Sequence, residues 1–180
     1  IAPIVGGSEL YGIGNSMGGF IGIVATRYIP MKVCVAFTPQ YSILPAYAPW
    51  ESRWRKYTKN IQQHSINHIN EFLGESCTYY IFSSGNPRDL KHSAKIARAG
   101  NVFHYRFADH THKLAQDLKA MGLLHRITAE AFACALDLGC LKSIYPHKVI
   151  ELSPRPLGAL RRTGETLAWI RATLATSRIS

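Results

Sequence analysis

The sequence predicts an α/β fold: an open, mostly parallel sheet with helices on both faces, followed by a helical C-terminal extension. Short apolar segments rich in β-formers alternate with segments of helical periodicity over the first 124 residues. The segment KVCVAFT at 32–38 is a continuous apolar run, as found in strands that are covered on both faces. Beyond residue 124 the alternation stops, and helical segments separated by a proline-containing loop follow.

Each predicted element has its own signal in the chain. The first strand ends in glycines, and Pro30 ends the first helix because proline cannot continue the hydrogen-bond ladder. Asp89 is expected as the N-cap of the helix after the third strand. The predicted strands are 8–14, 32–38, 77–82 and 101–107, and the predicted helices are 17–28, 60–73, the one beginning at 89, 113–124, 127–138 and 163–174. We expect a partial domain at 1–125, with a lid-like insertion at about 39–73, and the extension at 126–180.

Residues 14–18 read G-N-S-M-G, which matches G-x-S-x-G between a predicted strand and a predicted helix. A serine at such a tight turn exposes its hydroxyl, and backbone N–H groups of the next helix face a developing oxyanion. Ser16 is therefore the candidate nucleophile, and the N–H of Met17 is a candidate oxyanion donor. We expect side chains at Gly14 and Gly18 to collide with their neighbours. A plain glycine-rich turn is the alternative, whereas a dinucleotide fingerprint is excluded because Met17 takes the third glycine's place.

A serine nucleophile needs a base, and the base needs a carboxylate to orient it. Asp89 follows the third predicted strand and His112 follows the fourth, so both lie at carboxyl ends of strands, where α/β sheets keep their sites. Asp109 and His110 remain alternatives for the acid and the base. The H-x-H spacing could also hold a metal. Because no further ligands are evident, we predict neither a metal nor a cofactor.

The segment 39–73 interrupts the strand–helix rhythm with prolines and two tryptophans. Trp50 and Trp54 are candidate substrate-binding residues, since an aromatic ring can stack on a sugar or cover an acyl chain. Packing of the insertion onto the core is the alternative role for either ring.

Three segments resemble a group of bacterial α/β-hydrolases found with polysaccharide-synthesis and glycosyltransferase functions. They are YGIGNSMGGF, VAFTPQYS, and DLKHSAKI with the later HKLAQDLKAMGLL, so the resemblance covers about residues 9–124. It implies the C-terminal, catalytic half of an α/β-hydrolase fold, with Ser16, Asp89 and His112 as the triad. In such hydrolases the second oxyanion donor follows an earlier strand, for which the start of this chain has no room. We therefore expect either a partial domain that does not act alone or a second donor that comes from elsewhere in the chain.

These residues predict a serine hydrolase that cleaves a small-molecule or glycan ester through an acyl-enzyme. An acyltransferase that uses the same triad on a glycan is the nearest alternative. A nonenzymatic hydrolase-fold binding module is another, because the basic and aromatic residues of 53–57 resemble single-strand nucleic-acid binders. We favour a partner other than nucleic acid, since one short cluster of this kind is commonly a solvated surface.

The formal net charge is +10, from 21 Lys and Arg against 11 Asp and Glu. This excess favours anionic partners without identifying one, because the basic residues are scattered along the chain. No apolar run approaches the roughly 18–20 residues of a membrane span, so none is expected. The four cysteines lack C-x-x-C spacing, which favours free thiols and a cytoplasmic location.

Overall fold

The computed structural model describes residues 8–152, which form a five-stranded sheet with helices packed against it. The strands are β1 (Leu10–Asn15), β2 (Met31–Phe37), β3 (Thr78–Ser84), β4 (Val102–Phe107) and β5 (Val149–Glu151). The helices are α1 (Met17–Ala25), α2 (Arg55–Thr58), α3 (Pro87–Ser93), α4 (Leu114–Ala120), α5 (Leu124–Phe132) and α6 (Leu138–Ile144), and a 3-10 turn spans Ile69–Phe72. The predicted α/β class, with a mostly parallel sheet, is confirmed.

The order of the strands in the sheet is their order in the chain. The first four strands are parallel, and β5 pairs antiparallel with β4. The pairs Asn15↔Phe37, Phe37↔Phe82 and Ser84↔Phe107 align the carboxyl ends of β1 to β4. The loops that leave these four strands consequently meet at one edge of the sheet, where the candidate site lies.

Alternate residues of the strands enter two separate hydrophobic cores, as the twofold periodicity of a strand requires. In β2, Val33 and Val35 pack into the core that holds α4, α5 and α6. Cys34 and Ala36 pack into the other core, with α1 and the 3-10 turn. Both faces of β2 are therefore covered, in agreement with its uninterrupted apolar sequence.

The helix predicted for 60–73 is wrong. Only Ile69–Phe72 form a 3-10 turn, and residues 61–68 have no helical backbone. The side chains of Asn67 and Asn70 bond to Glu71 and to the backbone of Lys95, which gives this segment non-helical partners. The apolar residues still anchor it, since Ile69 and Phe72 are buried in the core beside α1.

The start of α3 also differs from its prediction. Asn86 is the N-cap, and its side chain accepts a hydrogen bond from Arg88 N at 2.9 Å. Pro87 is the first helical residue, where its missing N–H costs nothing. Asp89 therefore lies inside the first turn instead of capping it, and its carboxylate is available for other partners.

The described part of the predicted C-terminal extension packs against the sheet. The helix predicted for 127–138 is confirmed only as far as Phe132, the end of α5; residues 133–137 are not helical, and α6 begins at Leu138. Both helices contribute to the larger core. The short strand β5 lies in a segment expected to be loop. The helix predicted for 163–174 lies outside the described residues.

None of the helices within residues 8–152 is long and apolar enough to cross a lipid bilayer.

Candidate active site

Ser16 occupies the turn between β1 and α1 with φ 54° and ψ −115°. A positive φ is uncommon outside glycine and costs energy that the surrounding structure must supply. Two backbone hydrogen bonds fix the turn: Ser16 N donates to Phe37 O at 2.8 Å, and Phe20 N donates to Ser16 O at 3.0 Å. Although Ser16 is the N-cap residue of α1, its hydroxyl makes no capping bond and points elsewhere.

The two glycines of the motif differ in how much space is left for a side chain. A Cβ on Gly14 would lie 2.2 Å from the carbonyl oxygen of Gly18, which no side chain can tolerate. A Cβ on Gly18 would meet no described atom within 4 Å. The expected steric need for a small residue therefore holds at Gly14 and is wrong at Gly18, because Gly18 faces outward from the described part of the turn.

The structure brings Ser16, His112 and Asp89 into one hydrogen-bonded chain. Ser16 Oγ lies 2.9 Å from His112 Nε2. His112 Nδ1 lies 2.9 Å from Asp89 Oδ1 and 3.0 Å from Asp89 Oδ2. The carboxylate on one ring nitrogen fixes the tautomer that leaves Nε2 free to accept the serine proton.

Asp89 is buried, with 4% of its surface exposed. Burial raises the pKa of this carboxyl, but hydrogen bonds from His112 and Ser84, together with the charge of Arg53, outweigh burial and hold the pKa below its ordinary value. Ser84 Oγ donates to Asp89 Oδ2 at 2.7 Å from the end of β3. The carboxylate is therefore ionised and held in position at neutral pH.

His110 and Asp109 do not join this chain. His110 Nδ1 lies 2.9 Å from Asp117 Oδ2, and His110 Nε2 lies 2.9 Å from Tyr145 Oη. His110 therefore links the loop after β4 to α4 and to the end of α6, and it is turned away from Ser16. Asp109 is exposed on the same loop. The part of the chain that the structure describes contains no group of His, Cys, Asp and Glu that could hold a metal.

Gln40 is a member of the site that the sequence interpretation missed. It is fully buried on the loop after β2, and its Nε2 donates to Ser16 Oγ at 2.9 Å. Its Oε1 is buried without a hydrogen-bond partner among the described residues. The signal in the sequence was its place directly after the end of a buried strand, the same position relative to the sheet as Asp89 and His112.

Arg53 and Glu51 are also part of the site and were missed. Glu51 is buried, and its carboxylate accepts from Arg53 Nε at 3.0 Å and from Arg53 Nη2 at 2.5 Å. On its other side, Glu51 Oε2 lies 2.9 Å from Nε2 of the buried His92. Burial raises the pKa of Glu51, but its bonds to His92 and Arg53 outweigh burial and leave the pKa far below its ordinary value. Glu51 is therefore an ionised anchor for Arg53.

A cleft of about 620 Å³ opens beside His112. Trp50 forms part of its wall, whereas Trp54 is not among the lining residues and contacts Tyr57. Contact of either ring with substrate stays a prediction. Arg53 faces this cleft and is partly buried, whereas Arg55 and Lys56 are exposed. The basic residues of 53–57 therefore do not form one exposed surface. The lining residues are Trp50, Arg53, Asn86, Pro87, Arg88, Lys91 and His112.

Met17 is the first residue of α1, so its backbone N–H has no acceptor within the helix. It directly follows Ser16 and lies where the positive end of the helix dipole faces the hydroxyl. An N–H group in this position can stabilise negative charge that develops on the oxygen of a carbonyl group whose carbon is attacked by Ser16 Oγ.

Comparisons with protein-family models, with curated proteins and with solved structures found no match for the chain. What the site can do therefore follows from its own residues and their geometry.

Proposed function

We propose that this chain is a serine hydrolase of the α/β-hydrolase superfamily, which cleaves a carboxylic ester or another acyl group through an acyl-enzyme. The observation that supports this best is the hydrogen-bonded chain from Ser16 Oγ through His112 to Asp89. Hydroxyl, imidazole and buried carboxylate in this order are a nucleophile, its base and the acid that orients the base. Their positions after β1, β4 and β3 agree with the C-terminal half of an α/β-hydrolase.

In the first step, Ser16 Oγ attacks the carbonyl carbon while its proton moves to His112 Nε2. The carbonyl oxygen becomes negative, and the N–H of Met17 donates to it. Asp89 stabilises the imidazolium formed on His112. When the tetrahedral intermediate collapses, the bond to the alcohol oxygen breaks, and His112 returns the proton to the leaving alcohol. The acyl group is then esterified to Ser16.

The second step repeats this chemistry with water. His112 removes a proton from a water molecule, whose oxygen attacks the acyl carbon. Collapse of the second intermediate breaks the bond to Ser16 Oγ, and the proton returns to the serine. The products are a carboxylic acid and the free hydroxyl of Ser16, so the site is regenerated.

Labelling with a fluorophosphonate probe tests the proposal, because the probe reacts with an activated serine and ordinary serines do not. We expect labelling and 4-nitrophenyl butyrate hydrolysis in the parent protein, and the loss of both in Ser16→Ala. Ser65→Ala, which changes an exposed serine in the segment before the 3-10 turn, is the matched control. Equal labelling of the Ser16→Ala protein and its parent, or labelling of neither, would overturn the proposal.

A further inference from the structure

The environment of Arg53 in the cleft deepens the proposed function and rests on it. The Nε and Nη2 groups of Arg53 are both bonded to the buried Glu51. This fork fixes the plane of the guanidinium, because a bidentate pair with a carboxylate allows little rotation. The remaining nitrogen, Nη1, points to the catalytic centre.

Arg53 Nη1 lies 3.0 Å from His112 Nε2, and Ser16 Oγ lies 2.9 Å from the same nitrogen. With Nδ1 bonded to Asp89, the neutral ring has one lone pair, on Nε2. Arg53 Nη1 also lies 3.2 Å from His112 Nδ1 and 3.9 Å from Asp89 Oδ1, so it lies over the face of the ring and the Nε2 lone pair stays directed at Ser16. A guanidinium at this distance repels the imidazolium that His112 becomes when it accepts the serine proton. In this arrangement Arg53 opposes the proposed reaction.

The other charged residues that line the cleft are Arg88 and Lys91, and both are exposed. Neither has a carboxylate within ion-pair distance among residues 8–152. Lys91 Nζ lies 6.0 Å from the centre of the Trp50 ring, so it faces the same wall of the cleft. Three cations and no carboxylate line this space, and a cleft of one charge sign concentrates ligands of the opposite sign.

We propose that the substrate ester carries an anionic group, a carboxylate or a phosphate, which binds Arg53, Arg88 and Lys91. The anion accepts from Arg53 Nη1 while the fork to Glu51 keeps the guanidinium in place. The charge of the anion offsets the repulsion between Arg53 and the imidazolium of His112. The substrate thereby offsets the charge that opposes its own cleavage, and a neutral ester lacks this effect.

Two pairs of activated esters test the inference and distinguish on which side the anion lies. 4-Nitrophenyl hemisuccinate and 4-nitrophenyl butyrate differ by a carboxylate on the acyl side. 4-Acetoxybenzoate and its methyl ester differ by a carboxylate on the alcohol side. We expect kcat/KM to be about 10-fold or more higher for the anionic member of one pair, since hydrogen bonds to charged groups contribute that much. A ratio of one or less in both pairs would overturn the inference.

Two variants identify the groups that produce this preference. Arg53→Gln should lose the preference for the anionic ester and should cleave the neutral ester with a higher kcat than the parent. Because Arg53→Gln leaves the buried Glu51 carboxylate without its partner, the Glu51→Gln, Arg53→Gln double variant is measured beside it. An unchanged anionic-to-neutral ratio in these variants would contradict a role for Arg53.

The Arg88→Glu, Lys91→Glu double variant changes two exposed side chains, so it should fold, and it should lower the anionic-to-neutral ratio about 10-fold or more. Arg98→Gln, in the exposed segment that leads into the opposite end of β4, is the charge control and should keep the parent ratio. A similar fall in Arg98→Gln would assign the preference to net charge and overturn the inference. If Ser16-dependent hydrolysis occurs without the anionic preference, only this inference fails; loss of all hydrolysis and of fluorophosphonate labelling ends the proposed function as well.

Discussion

Gln40 Nε2 lies 2.9 Å from Ser16 Oγ, so the hydroxyl is held between a buried amide and the imidazole of His112. After Ser16 Oγ has attacked a carbonyl carbon, an N–H group this close to Oγ can also reach the negatively charged oxygen on that carbon. We therefore predict that Gln40, on the loop after β2, is a second oxyanion donor beside the N–H of Met17.

Replacement of Gln40 by methionine keeps the length of the side chain and removes the donor. We expect kcat for 4-nitrophenyl butyrate to fall about 10- to 100-fold, since a lost oxyanion-type donor costs at least this much in comparable sites. Gln63→Met, at an exposed position, is the control. If kcat is unchanged while the protein remains folded, Gln40 only packs against the nucleophile.

Asp89→Asn should reduce kcat by about 10⁴-fold, because the amide favours the wrong tautomer of His112. Stopped-flow or long-time assays of ester hydrolysis measure this loss. Asp109→Asn changes the exposed carboxylate of the neighbouring loop and should retain the parent rate. If Asp109→Asn loses kcat and Asp89→Asn keeps the parent rate, Asp109 is the acid that orients His112.

Substitution of the two histidines in the loop after β4 should have different effects on hydrolysis and on stability. His112→Ala should abolish hydrolysis in a protein that remains folded, since its ring is 30% exposed. His110→Ala should keep catalysis but lower the free energy of unfolding by about 1–2 kcal/mol, through loss of the bonds to Asp117 and Tyr145. Urea titration and the ester assay together measure both effects. Catalytic loss in a folded His110→Ala protein would contradict this assignment.

Gly14→Ala should destabilise the turn by more than about 2 kcal/mol, because its Cβ would meet the backbone of Gly18 at 2.2 Å. Gly18→Ala places a Cβ in open space among the described residues and should change the unfolding free energy by less than about 1 kcal/mol. Thermal or urea unfolding of the matched pair tests the difference. Equal stability of the two variants would show that the turn adapts.

His104 is a buried ring 2.6 Å from Ser83 Oγ. Burial lowers the pKa of His104 to about 3, with repulsion from Arg98 and Arg106 as further causes. Above pH 6.5 the ring is neutral in both the folded and the unfolded chain. Between pH 6.5 and about 3 the unfolded chain takes up a proton that the folded chain excludes, so stability falls as the pH falls.

This one ring should lower the free energy of unfolding by about 2 kcal/mol between pH 7 and pH 5. Urea titrations of the parent and of His104→Gln, which cannot titrate, measure the contribution. The same slope in His104→Gln as in the parent would assign the acid sensitivity to other groups.

The sequence alone determined the strand–helix alternation and the turn that holds Ser16. Both depend on local periodicity and on glycine and proline, whose effects reach only a few residues. The same reasoning failed at 60–73, because side chains of that segment bond to distant backbone and to each other instead of supporting a helix. It also took Asp89 as the N-cap of α3, whereas the N-cap is Asn86, three residues earlier, whose side chain accepts from Arg88 N.

Only the tertiary structure shows that His112 and Gln40 contact Ser16 while His110 does not, and that Arg53, anchored by Glu51, contacts His112. These residues are separated from Ser16 by 24 to 96 positions, and no periodic signal relates them. Their meeting depends on the parallel register that aligns the ends of β1 to β4, and on the path of the 39–73 insertion over that edge. Hydrogen bonds between such distant residues depend on where the sheet places the beginning of each loop.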